Sequence, residues 1–173
     1  MTYLTDADLL PPLQSGFRSG HFTESAVLCV LSGILLAVDR GDFAALVLLY
    51  LSAAFDTVNH DILLQRLESS FGIADVARDW FRSYLSGRRQ FVGCGGILSA
   101  VPLICGVPQG SLLGPVLFIL YVADLAALVE SHGLAPHQYA DDTQIYGSCS
   151  PSHVDEIIDN IWMCQRRCGL DAV

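Results

Sequence analysis

Apolar residues change their spacing along this chain, and each change predicts an element. Residues 1–22, with Pro11-Pro12 and two glycines, read as loop. Thr23 has the chemistry of a helix cap, helical spacing runs from it to about Arg40, and Gly41 supplies the stop. Phe43–Leu51, FAALVLLYL, is apolar on both faces and predicts a central strand buried on both sides. Helices follow over Asn59 to about Ser70, with Ile62, Leu63 and Leu67 inward, and over Asp75–Leu85, with Val76, Trp80 and Leu85 inward. The period then shortens. Gln90–Gly96 and Ala100–Cys105 read as short strands, and Gly106–Ser111 as a turn. Leu112–Ser131 predicts one long helix, with Pro115 in its first turn and Gly133 as its stop. Gln138–Gly147 alternates like a hairpin with Asp141-Asp142 at the bend, and Ser152 caps a last helix with Asp155 at the capping-box position. This order is α+β, with no repeat and no long linker.

Composition narrows the class. Hydrophobic residues make up 52% of the 173 and charged residues 16%. That excludes a disordered chain. The charge falls short of the roughly 25% that coats a free-standing domain, so some apolar faces are expected to pack against other segments. The net charge of -9 argues against tight nucleic-acid binding, which draws on Lys and Arg. The uncharged run Ala26–Val38 is shorter than the roughly 20 residues a bilayer requires, and the acidic start MTYLTDADLL has no basic signal region. The expectation is an intracellular protein with no membrane partner. The six cysteines have no second close pair beside Cys164 and Cys168, so thiols are expected rather than a zinc site.

Tyr139-Ala140-Asp141-Asp142 is the sharpest chemical signal. Adjacent carboxylates in an apolar hairpin repel each other, and a divalent cation relieves that repulsion. A solvated turn would also accommodate two aspartates.

Three segments together carry a family resemblance: Leu46–His60 (LVLLYLSAAFDTVNH), Gly106–Phe118 (GVPQGSLLGPVLF) and Tyr139–Tyr146 (YADDTQIY). They resemble, in order and spacing, the palm motifs of reverse transcriptases. Leu13–Thr23 (LQSGFRSGHFT) looks like a fingers motif, and Trp80–Arg88 (WFRSYLSGR) like the segment between the first two palm motifs. The chain is most similar to non-LTR retrotransposons of the chicken-repeat-like and jockey-like kind. The resemblance implies partial fingers over about 1–42, palm motifs over about 43–160, an off-family tail over 161–173 and no thumb. The partners it implies are an RNA template, a DNA primer and deoxynucleoside triphosphates. It gives Asp141, and to a lesser degree Asp142, two Mg²⁺ ions that activate the primer 3′-hydroxyl and stabilise the leaving pyrophosphate. Phe55 would be the gate against a 2′-hydroxyl, Gln109 would contact the incoming nucleotide and template base, and Gly110 would allow close backbone approach. Arg18 would reach the triphosphate through its forked guanidinium. Arg88 and Arg89 would lie near template phosphate or simply in solvent.

One position departs from the family. The first palm motif begins with aspartate, and here that residue is Tyr50. A phenol stays neutral at pH 7 and is a poor ligand for Mg²⁺. Asp56 follows six positions later, too far along the chain to take its place. The expectation is an incomplete reverse transcriptase that does not polymerise. A non-catalytic RNA- or protein-binding remnant, or a product without function, stands as the alternative.

Overall fold

A computed structural model describes residues 2–7, 9–10, 13–16, 20–50, 53–94 and 97–167. The chain divides into two compact units, one built from residues 1–52 and 122–173 and the other from residues 53–121. Helices and antiparallel sheets are mixed, as an α+β chain requires.

The first unit is built on a three-stranded antiparallel sheet of order β1-β5-β4, formed by β1 (Phe43–Tyr50), β4 (Ala135–Tyr139) and β5 (Asp142–Cys149). The expected central strand, Phe43–Leu51, is therefore an edge, and β5 is central. The run is apolar on both faces for a different reason. Leu49, with Ala45 and Val47 beside it, joins a core of Val129, Leu134, Ile145, Ile157 and Cys164. Leu46 and Leu48 line a shallow apolar groove with Val27, Val30 and Leu31, and Leu48 is 69% exposed. Pro136 costs β4 no ladder bond that an edge strand cannot lose.

Helix α2 (Thr23–Asp39) packs on this sheet, and Gly33 gives the Tyr146 ring room, since a Cβ there would stand 2.9 Å from it. Its cap is Phe22, one residue before the expected Thr23, and the Ser25 hydroxyl holds that turn. Two more helices, α6 (Asp124–Ser131) and α7 (Val154–Arg167), complete the unit. Ser152 does not cap α7. It lies in a 3₁₀ turn, Pro151–His153, where Ser150 bonds to Ser152 and His153. The stretch expected as loop contains a short helix, α1 (Thr2–Asp6).

The second unit contains α3 (His60–Ser69), α4 (Asp75–Leu85), the hairpin β2 (Arg89–Cys94) and β3 (Ile97–Pro102), and α5 (Leu113–Val122). Asn59 caps α3 by accepting from the amides of Asp61 and Ile62 at 3.0 and 3.1 Å. The buried face of α3 is Leu63, Leu64 and Leu67, and Ile62 points outward. Of the three residues expected inward on α4, Leu85 alone is buried; Val76 is 83% exposed, and Trp80 stacks instead on Tyr84 along the helix surface. The predicted long helix 112–131 breaks at Ala123 into α5 and α6. Arg66 donates to the Tyr121 carbonyl, which an uninterrupted helix would offer to the amide four residues on. Among the described residues, Leu113–Ser131 is long and apolar enough by composition to cross a bilayer, but it carries this break and Asp124.

Candidate active site

Each unit holds part of the predicted site. In the first, β4 and β5 meet at a turn of Ala140 and Asp141, and Tyr139 pairs with Asp142 across it. The bend is therefore one residue earlier than expected, and Asp142 opens β5. Asp141 is partly buried and Asp142 exposed. On the other side of β5, Tyr50 stands opposite Asp142 in the β1–β5 register. Directly opposed residues of an antiparallel pair lie about 4.5–5.5 Å apart. Position 50 is thus next to Asp142 by backbone geometry.

Ala140 adopts φ 56, a left-handed conformation that costs a residue bearing a Cβ about 1–2 kcal/mol. Residues 13–16 hold it from outside the hairpin. Leu13 and Ser15 bond with the Gln138 backbone at 2.9 and 2.8 Å, and Gln14 forms a parallel bridge to Gln138. The Gln14 amide, 1% exposed, donates to the Ala140 carbonyl at 3.1 Å and accepts from the Ala140 amide at 3.0 Å. Gly16 lies so close to Ala140 that a Cβ on it would stand 2.2 Å from the Ala140 nitrogen. Gln14 belongs to the fingers-like motif Leu13–Thr23, whose resemblance gives it no task. Arg18, from the same motif, lies outside the described residues.

Beneath the turn, His137 is buried and its Nε2 meets the Ser15 hydroxyl at 3.2 Å. Burial, with a smaller contribution from His21, holds its imidazolium below the usual value. A neutral His137 favours the fold, so its share of the stability is complete above the unfolded value of about 6.5 and is lost as pH falls below it. Thermal unfolding at pH 7.5 and 5.5 is expected to show a lower midpoint at the acid pH, with the difference reduced in His137→Asn. An equal difference in both chains would remove His137 as its source.

In the second unit, Gly106 adopts φ 87, and a Cβ there would stand 3.0 Å from the Asp56 backbone. Its carbonyl accepts from His60 Nε2 at 2.8 Å and Arg88 Nη1 at 3.0 Å. Arg88 is therefore tied to the chain's own backbone. Gln109 donates to both oxygens of Asp56 at 3.2 Å, with both side chains exposed. Asp56, Arg88, Gln90, Cys105 and Gln109 line a cleft of about 470 Å³. Phe55 is half-buried, its ring 5.0 Å from that of Phe118. Gly110 has φ 75 and open space around it, so its conformation is what calls for glycine there.

The donor set does not fit a two-ion centre. Asp141 and Asp142 offer oxygens suited to Mg²⁺, but the register position beside them carries tyrosine. Among the described residues, no group of three or more histidine, cysteine or carboxylate side chains is assembled to hold a metal.

Comparison with known proteins agrees with the motifs. The profile of the family "Reverse transcriptase (RNA-dependent DNA polymerase)" matches residues 1–172. A probable RNA-directed DNA polymerase from transposon BS of Drosophila melanogaster is 35% identical over 80% of this chain and 16% of its own length. The RNA-directed DNA polymerase from mobile element jockey of Drosophila funebris is 33% identical over 79% of this chain and 15% of its own. The chain thus spans about a sixth of the length of these curated relatives. Among solved structures, a chain of a partial Cas6-RT-Cas1–Cas2 complex aligns with a TM-score of 0.39 and 23% identity, covering 87% of this chain and 26% of that one. The chain belongs to the reverse transcriptase family, as a domain of the jockey-like, non-LTR retrotransposon kind.

Proposed function

We propose that this domain is a polymerase palm with part of the fingers, built to extend a DNA primer on an RNA template and disabled by Tyr50. The register that sets position 50 opposite Asp142 carries this reading. An aspartate there would join Asp141 and Asp142 in a cluster of three carboxylates, the donor set that Mg²⁺ favours. Tyrosine leaves two. No step through a metal follows for the chain as it stands. In this reading the family resemblance assigns Arg18, Phe55, Gln109 and Gly110 to the deoxynucleoside triphosphate. The bidentate hold of Gln109 on Asp56 supports a fixed orientation for that glutamine. The setting is intracellular, with no membrane partner.

Binding and chemistry separate experimentally. A labelled RNA–DNA primer-template, titrated over a salt series, is expected to bind at low salt and weaken along a log-log line, because phosphate contacts release counterions. With a net charge of -9 the slope is expected to be shallow. No binding at low salt would count against a nucleic-acid role and favour a protein-binding remnant.

A further inference from the structure

We infer that Gln14 is a positioning residue for the carboxylate pair, selecting through Ala140 the backbone conformation that aims Asp141 and Asp142. Its side chain is buried, and its oxygen accepts from the Gly16 amide at 2.8 Å as well as from the Ala140 amide at 3.0 Å. Its nitrogen donates to the Ala140 carbonyl at 3.1 Å. One primary amide therefore engages both polar groups of a residue with φ 56, a conformation that persists only where its surroundings over-determine it. At neutral pH an ionised acid offers acceptors only and an apolar chain offers neither, so neither supplies the donor and the acceptor that the amide does. The Gly16 contact closes the space on the same side of the turn. Residues 13–16 thus act as a latch on the hairpin. The inference rests on the reading of Asp141 and Asp142 as the metal-facing pair. Its test needs no polymerase activity, so the two can fail separately.

The experiment is amide hydrogen exchange by NMR on the whole chain, on Gln14→Met and on Gln14→Glu. In Gln14→Met the Ala140 and Gly16 amides are expected to lose about tenfold in protection, the scale of a lost hydrogen bond, while the β1–β5 ladder keeps its own. The amide shifts of Asp141 and Asp142 should move with them. Gln14→Glu adds a pH profile. Its protonated carboxyl offers one donor and one acceptor, as the amide does, and its ionised form offers acceptors only. The Ala140 amide keeps an acceptor in either form, but ionisation removes the donor to the Ala140 carbonyl, so the Asp141 and Asp142 amide shifts should step as the introduced carboxyl ionises, a step absent from the parent. Unchanged Ala140 protection in Gln14→Met, or a loss shared by the whole ladder, would overturn the inference. Should Gln14→Met fail to fold, absence of the pH step in Gln14→Glu would do so.

Discussion

Gly16→Ala is expected to destabilise the chain by about 1–3 kcal/mol, the range for overpacking a filled site. The added methyl would stand 2.2 Å from the Ala140 nitrogen and 2.7 Å from its Cα, and neither is the end of a flexible side chain. Gly16 does not have a left-handed φ, so space rather than conformation excludes alanine. The turn or residues 13–16 must move, and either motion weakens the Gln14 bonds to Ala140. Urea unfolding should show a lower midpoint with an unchanged slope. A stability within about 0.5 kcal/mol of the parent, the usual range for an ordinary surface change, would mean that the latch is looser than its geometry. Gly20→Ala is a suitable contrast, because Gly20 has φ 79 with nothing within 4 Å of a Cβ, so any cost there is conformational alone.

Much of this was legible in the residues. Helix α4 matches its expected bounds, Asp75–Leu85, and the hairpin carries the aspartates within one residue of the expected bend. Periodicity read element type well because apolar spacing follows backbone period. It read the environment of those elements poorly. Val76 and Trp80 satisfy an inward helical stripe, yet α4 buries Leu85, because a stripe records what a helix offers rather than what packs on it. The run FAALVLLYL reads the same whether its second face meets a sheet-covering layer or a half-filled groove, so an edge strand passed for a central one. Beside the break at Ala123, the Tyr121 carbonyl accepts from Arg66, a residue far away in sequence. At the proposed site, Asp141, Asp142 and the departure at Tyr50 are readable from motif order. The Gln14 clamp is not, because a glutamine in a loop has no periodic signature and its partner is 126 positions away. The same holds for the Gln109 hold on Asp56.

Tyr50→Asp carries the largest expected effect. The register sets position 50 opposite Asp142. Aspartate in place of tyrosine at this position would supply a carboxylate oxygen. A metal ligand is worth several kcal/mol of transition-state stabilisation, and about 4 kcal/mol corresponds to about a thousandfold in rate. Because the chain spans about a sixth of its relatives, both versions would be fused to a jockey-like thumb for duplex grip. The deciding measurement is Mg²⁺-dependent primer extension on an RNA template by the chain as it stands and by Tyr50→Asp, side by side. Background extension is expected from the first and a gain on the order of a thousandfold from the second. Equal extension by both, or no gain from Tyr50→Asp in a chain that still binds the primer-template, would contradict the assignment of Tyr50 as the disabling residue.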